Sequence, residues 1–328
     1  MQRPTLAVTM GDPAGVGPEL CLRALQSESI AKRCQLAVIG DVGILRRCRD
    51  ALKIDVEMHS VKWSDFINWS QSFTQHQIID LAIPGLQDFR PGVTSAATGE
   101  ASYQFVQHAI DAVLAKRVAA VVTAPLNKDA LHQAGHHYPG HTEMFAERCP
   151  GVQSERWCMM QYSPEITCTF VTVHCGYSEV PKLLTPQRLD DVIDLTHEAM
   201  IKIRGKKPKL VICGLNPHAG ENGLFGSGEE ESLIVPAVHR ARSRGIEIEG
   251  PLPADTAFIA DRRRITDAFI CLYHDQGHIP VKALAFDTAV NTTLGLSVIR
   301  TSVDHGTACD IAWQGKAKPD SLFAAVHL

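Results

Sequence analysis

Three histidines carry the chemistry most visible in this chain of 328 residues. Each follows a short apolar run that reads as a strand, over 169–173, 210–215 and 268–273. Each opens a segment marked by glycine or aspartate: Val173-His174-Cys175-Gly176, Asn216-Pro217-His218-Ala219-Gly220 and Tyr273-His274-Asp275-Gln276-Gly277. An imidazole at the end of a buried parallel strand points into the crevice where open α/β sheets bind ligands. Three of them suit a divalent metal with a position left for substrate. The intervals, 44 and 56 residues, match no local metal motif. The residues alone therefore leave a second reading open, three separately satisfied core histidines.

The last quarter of the chain adds groups that an anionic substrate would need. Lys282, Asn291 and Arg300 supply a point charge, an amide and a guanidinium fork for phosphate or carboxylate. Asp275 can orient the neighbouring His274, bind a metal or act as a base. Asp304 and His305, before Gly306, are open to a plainer reading as loop caps. His141 and Thr142 follow Gly140 just before a helix and can hydrogen-bond a ligand, whereas His136 and His137 read as solvated loop residues. The opening Gly11-Asp12-Pro13-Ala14-Gly15-Val16-Gly17-Pro18-Glu19 looks like a strand–loop–helix that could cradle an anion on backbone N–H groups. It matches neither of the common nucleotide-loop patterns, and a tight turn also explains its glycines.

Short strands alternating with longer amphipathic segments must position these groups, the signature of parallel sheets with helical crossovers. Strands are expected over 5–10, 35–40 and 118–124. Helices are expected over 97–116, with Phe105, Val106, Ala109, Ile110 and Val113 inward, and over 127–134, 185–204 and 229–244. Thr185 with Pro186 opens the third, and Gly245 stops the fourth. Residues 60–77 show little periodicity and read as an irregular surface excursion. No linker or repeat appears, so two domains would share a stiff connection with a cleft between them.

Composition sets outer bounds. A net charge of −4 with no basic stripe argues against nucleic acid; the basic run 202–209 reads as a solvated helix end. No apolar stretch reaches the ~20 residues of a membrane span, and the N-terminus lacks a signal-peptide pattern. Ten cysteines without a Cys-x-x-Cys pair, several in apolar runs, read as small core residues of a reducing, cytoplasmic protein.

With these motifs on the page, the chain resembles the PdxA family of NAD-dependent 4-hydroxythreonine-4-phosphate dehydrogenases of pyridoxal phosphate (pyridoxine, vitamin B6) biosynthesis. The resemblance runs over nearly the whole chain and rests on long motifs: Gly140-His141-Thr142-Glu143, Asn216-Pro217-His218-Ala219-Gly220-Glu221, Gly250-Pro251-Leu252-Pro253-Ala254-Asp255-Thr256 and Tyr273-His274-Asp275-Gln276-Gly277. It implies that His174, His218 and His274 hold one divalent metal (zinc, cobalt or magnesium). It implies substrate contacts from His141, Thr142, Lys282, Asn291 and Arg300; for the implied chemistry, Asp275 or Lys282 is the catalytic group that takes or returns protons. It further implies NAD or NADP near Gly11, Asp12, Asp304, His305 and Gly306, and a homodimer with metal ligands from both subunits. The implied fold is two α/β/α domains around a cleft, similar to isocitrate and isopropylmalate dehydrogenases, divided as 1–125 plus 301–328 and 126–300. The implied reaction oxidises and decarboxylates 4-hydroxythreonine 4-phosphate to 3-amino-2-oxopropyl phosphate. The segments 221–226, 278–280 and 310–313 look more like a related branch acting on 4-phospho-D-threonate or 4-phospho-D-erythronate.

Overall fold

A computed structural model describes residues 3–69, 73–86, 88–149, 151 and 156–328. The chain forms two compact units, Met1–Pro150 with Leu296–Leu328, and Gly151–Gly295.

The first unit holds β1 (Thr5–Thr9), β2 (Gln35–Gly40), β3 (Ser60–Lys62), β4 (Gln77–Asp80), β5 (Ala120–Thr123) and, late in the chain, β12 (Arg300–Val303). Their order is β3-β4-β2-β1-β5-β12, with every pair parallel. Leu36, Ala37, Val38 and Ile39 of β2 are all fully buried, as in a strand covered on both faces. Helix Ala96–Leu114 opens on a Ser95–Thr98 capping box and buries Phe105, Val106, Ala109, Ile110 and Val113, the stripe its 3.6-residue period selects.

Two sequence expectations change here. Residues 126–150 belong to the first unit instead of opening the second. Helix Lys128–Gln133 lies so close to helix Ala96–Leu114 that a Cβ on Gly99 would stand 2.0 Å from the Ala130 carbonyl oxygen. The stretch 60–77 is not irregular throughout. It contains β3, helix Trp63–Ile67 and the start of β4, with buried Phe66 against Trp63 and Phe73. Aromatic packing, which carries no periodic signature, holds it; residues 70–72 lie outside the described set.

The second unit holds β6 (Cys158–Tyr162), β7 (Thr167–Phe170), β8 (Lys209–Cys213), β9 (Glu247–Leu252), β10 (Ala268–Cys271) and β11 (Val290–Leu294). Their order is β11-β6-β7-β10-β8-β9. The β11/β6 and β6/β7 pairs are antiparallel and the other three parallel. Alternate side chains go to opposite faces. Ile212 and Ile270 pack with Leu189, Val192 and Ile193 of helix Pro186–Arg204. Val211 and Phe269 pack with Val281 of helix His274–Ala285. The unit is therefore helix, sheet, helix. Thr185 caps helix Pro186–Arg204 by accepting from Arg188 N, and Gly205 ends it in the left-handed region. The helix expected over 229–244 begins as a π turn, Glu230–Ile234, before Val235–Ser243. No helix among the described residues is long and apolar enough to cross a membrane.

Candidate active site

In the second unit, β7, β10 and β8 are neighbours, so the segments that follow them leave the same edge of the sheet. These segments carry His174, His274 and His218. His274 is not in a loop, as its glycine-rich context suggested, but is the first residue of helix His274–Ala285. Gly277 makes that helix possible: a Cβ there would stand 2.6 Å from the Phe170 ring and 2.7 Å from Cys271 Sγ. The rings of His174 and His274 lie 5.9 Å apart. His218 is exposed and faces Phe225, 6.1 Å away. Among the described residues, no three His, Cys, Asp or Glu side chains gather to hold a metal ion. The chain by itself thus brings together two of the three expected ligands.

His274 is oriented by its neighbour. Its Nδ1 lies 2.7 Å from Asp275 Oδ1, and the Tyr177 hydroxyl donates to Asp275 Oδ2 at 2.5 Å. These two hydrogen bonds, Tyr177 first, hold the Asp275 carboxyl below the usual carboxylate range. With Nδ1 so engaged, Nε2 of His274 is the nitrogen left for a ligand. Beneath it, His278 stacks on His274 at 3.8 Å and on Phe170 at 4.4 Å. Burial lowers His278 to about 4, so it is neutral near pH 7. Its Nδ1 donates to the His274 carbonyl, which leaves Nε2 as acceptor for Gln161 Nε2 at 3.4 Å. Lys282 is exposed one turn further along, close enough for its charge to bear on His278. Asn291 stands opposite Gln161 in the β11/β6 ladder.

Buried polar side chains that sequence reasoning missed tie these segments together. Gln276 accepts from Leu272 N at 2.7 Å and donates to the Gly214 carbonyl at 2.7 Å. It bridges β10 to β8 just past their last ladder pairs. Glu230, 1% exposed, accepts from the N–H groups of Leu215 and Asn216. From His218 to Gly223 every residue has positive φ. Four of the six are not glycine, and at roughly 1–2 kcal/mol each the segment stores considerable strain. Such strain clusters at functional sites. The only sequence hint of Glu230 was its place in the run Glu229-Glu230-Glu231, where a carboxylate reads as solvated.

The first unit gathers a second cluster. Arg300 is 3% exposed, donates to Thr123 Oγ1 at 2.8 Å and Thr142 Oγ1 at 3.4 Å, and lies over the Phe145 ring. Burial lowers it to about 10, with Glu143 opposing, so it remains a cation. His141 and Thr142 begin helix His141–Arg148, whose N-cap, Gly140, supplies no side-chain hydrogen bond. Burial, with Arg300 and Lys128 nearby, keeps His141 well below the ordinary histidine value. Its buried Nε2 meets no partner. A buried cation, an uncapped helix start and an orphaned imidazole nitrogen together suit an anion.

The opening loop is a tight strand–helix turn, one of the two readings its residues left open. Gly11 and Gly17 are needed by the fold: Cβ atoms there would stand 2.4 Å from the Pro125 carbonyl oxygen and 2.0 Å from that of Met10. Asp12 is fully buried, accepting from Ala14 N at 2.8 Å and Thr98 Oγ1 at 3.4 Å. Its carboxylate is turned inward, onto these two donors. The neighbouring segment, where Val16 N donates to the Thr307 carbonyl, leaves space at Gly306, where an added Cβ would meet nothing. Asp304 N donates to Ser321 Oγ, and His305 Nδ1 lies 2.9 Å from the Gly306 carbonyl oxygen.

Burial raises Asp12 from 3.8 to about 6. A folded value above the unfolded one means that the group favours folding most below the unfolded value, a contribution lost as pH rises through about 6. Asp12→Asn is therefore expected to raise stability by about 1–3 kcal/mol near pH 8 and to do little below about pH 4. Denaturant midpoints at the two pH values measure this; a lower midpoint for the variant near pH 8 would contradict it.

The family model for pyridoxal phosphate biosynthetic protein PdxA matches residues 32–328. A D-threonate 4-phosphate dehydrogenase from Cupriavidus necator is 40% identical over 327 residues, covering 99% of this chain and 96% of its own. The crystal structure of a 4-hydroxythreonine-4-phosphate dehydrogenase from Klebsiella pneumoniae is 38% identical, with TM-score 0.83 over 99% of this chain and 98% of its own. A β-decarboxylating dehydrogenase from Thermococcus kodakarensis, 12% identical with TM-score 0.54 over 98% of this chain and 81% of its own, shares the fold alone. With the expected histidines at three neighbouring strand ends and the buried Arg300 cluster in place, the chain belongs to the PdxA family of dehydrogenases.

Proposed function

We propose that the protein oxidises the C3 hydroxyl of a 4-phosphorylated four-carbon acid, with NAD(P)⁺ as hydride acceptor, and releases the carboxyl carbon as CO₂. The observation that carries this reading is the His174/His274 pair, with Nδ1 of His274 engaged by Asp275. These residues fit a divalent cation held by His174 and His274 of one protomer and by His218 of a second copy in a homodimer. When bound, zinc, cobalt or magnesium would supply Lewis-acidic charge at the reacting oxygen.

The chain's own residues supply the remaining tasks. Arg300, Thr142 and the open Nε2 of His141 bind an anionic end of the substrate, Arg300 by its fork. Asp275, held below the usual carboxylate range by two hydrogen bonds, orients His274. Asp275 or Lys282 moves protons at the substrate, with Asn291 contributing a polar contact. The open space at Gly306, beside Asp304 and His305, receives the dinucleotide. Oxidation yields a β-keto acid, NADH and a proton. The C1–C2 electron pair then moves toward the new ketone as CO₂ leaves, and C2 takes up a proton.

Two acids meet this description. The resemblance alone puts 4-hydroxythreonine 4-phosphate first, with a role in pyridoxal phosphate synthesis. The relative named D-threonate 4-phosphate dehydrogenase adds weight to the hydroxy acid, 4-phospho-D-threonate. Two of the three segments that depart toward that branch adjoin the expected metal ligands: His278 stacks directly beneath His274, and residues 221–223 continue the left-handed run from His218. Following NADH absorbance with each acid, with and without a chelator, tests both readings. A higher kcat/KM for the hydroxy acid and loss of turnover on chelation are expected. Preference for the amino acid would reverse the substrate order, and no NADH from either acid would end the proposal.

A further inference from the structure

We propose that Glu230 is a positioning residue: it clamps a left-handed turn of the chain and thereby sets where His218 stands. This inference rests on the reading of His218 as a metal ligand. Residues 218–223 have φ of 53, 51, 81, 41, 57 and 85° in succession. Glu221 N donates to the His218 carbonyl, Gly223 N to Gly220 and Leu224 N to Glu221. The three-residue step repeats, so this is a short left-handed helix. L-residues avoid that conformation because Cβ crowds the following carbonyl oxygen. His218 and Ala219 lack even the short amide side chain with which Asn222 tolerates it, so something outside the turn must hold it.

Glu230 is placed to do so. Its Oε1 accepts from Leu215 N at 2.9 Å and Asn216 N at 2.8 Å, and its Oε2 accepts from Asn216 Nδ2 at 3.0 Å. These fix the chain immediately before the turn. The same carboxylate fills the space beside Gly220, where a Cβ would stand 2.8 Å from Oε2. On the far side Gly214 lets Ala219 approach: a Cβ at Gly214 would stand 2.6 Å from Ala219 Cα. A carboxylate is kept in an interior only where hydrogen bonds satisfy it, and here three donors do so. Its bonds converge on the two residues that lead into Pro217 and His218.

The test uses the intact homodimer and the variants Glu230→Ala, Glu230→Asp and Glu230→Gln, with His218→Ala as a control. Three readouts are taken: hydrogen exchange over 214–226, cobalt(II) affinity by competition with a chromophoric chelator, and kcat and KM. Glu230→Ala should raise exchange over 214–226 while helix Pro186–Arg204 stays protected. Cobalt affinity and kcat should fall about 10- to 100-fold, with KM for the phosphorylated acid little changed. Glu230→Asp, whose carboxylate is one methylene short, should act in the same direction and decides the matter if the alanine variant does not fold. Glu230→Gln, which keeps an acceptor for both main-chain N–H groups, should retain most of the wild-type behaviour. Ala219→Gly, which relieves the crowding, should recover part of the loss in the Glu230→Ala background. Unchanged exchange in Glu230→Ala and Glu230→Asp would refute the clamp. Looser exchange with unchanged cobalt affinity would refute its role in placing a ligand. Unchanged cobalt affinity in His218→Ala would overturn the underlying reading of His218, while the exchange data still report on the clamp.

Discussion

Replacing His218 by alanine is expected to abolish metal-dependent NADH formation, lowering kcat/KM by about 10³-fold or more. A metal contributes several kcal/mol of charge stabilisation at the reacting oxygen, and each 1.4 kcal/mol or so is a factor of about ten in rate. The geometry adds a sharper expectation. His174 and His274 face each other within one protomer, and no third ligand joins them among its described residues. If His218 comes from a second copy, His218→Ala and His174→Ala damage opposite halves of one site. Mixing the two inactive variants and allowing subunits to exchange should then restore activity. Half of the dimers are mixed and carry one intact site of two, so recovery approaches about a quarter of wild type. No recovery in a confirmed mixed dimer would place all three ligands on one protomer, and full activity of His218→Ala alone would remove it from the site.

Arg300→Met is the second large effect expected. The guanidinium is buried, fixed by two threonine hydroxyls and laid over Phe145. Removing the cation leaves an anionic substrate group desolvated without its partner, a loss of about 3–4 kcal/mol, or roughly 10²–10³-fold in kcat/KM. Lysine should not rescue it, because a point charge cannot span Thr123 and Thr142 while offering a fork to the ligand. The unfolding midpoint should hold or rise, since a buried charge in the free protein is a stability cost. Kinetics with the phosphorylated acid, beside thermal unfolding of both variants, check this. An unchanged kcat/KM would show that the anion binds elsewhere.

The layout of the chain was legible where local chemistry decides it. The Thr185 cap with Pro186 and the inward stripe of helix Ala96–Leu114 follow from periodicity and capping, and the structure has them. The helix from His274 was not legible. Gly277 and Pro280 argue against a helix, and the reason for Gly277 is tertiary: only hydrogen fits against Phe170 and Cys271. The aromatic knot around Phe66 has no period to read. At the candidate site, residue types marked the histidines and Arg300, because polar groups at strand ends stand out. Their supports did not stand out. Gln276, Glu230 and Tyr177 are ordinary surface types by composition, and their importance lies in which main-chain or carboxylate atoms they meet. Asp12 shows the converse. Its conspicuous glycine-rich loop suggests a ligand, while the carboxylate is spent on Ala14 and Thr98.

All ten cysteines are unpaired, and eight of them are buried. Burial raises the thiols of Cys48 and Cys158 to about 12 and that of Cys149 to about 11, and pushes Cys271 well up; the hydrogen bond with Cys271, followed by burial, does the same for Cys213. Because the thiolate is the reactive form, a mild thiol-directed reagent finds two accessible attachment points, Cys175 and Cys309. They fall one in each compact unit. Cys175 adjoins His174, so its protection from the reagent by cobalt(II), with Cys309 in the other unit as internal reference, reports whether a metal binds there without an engineered cysteine.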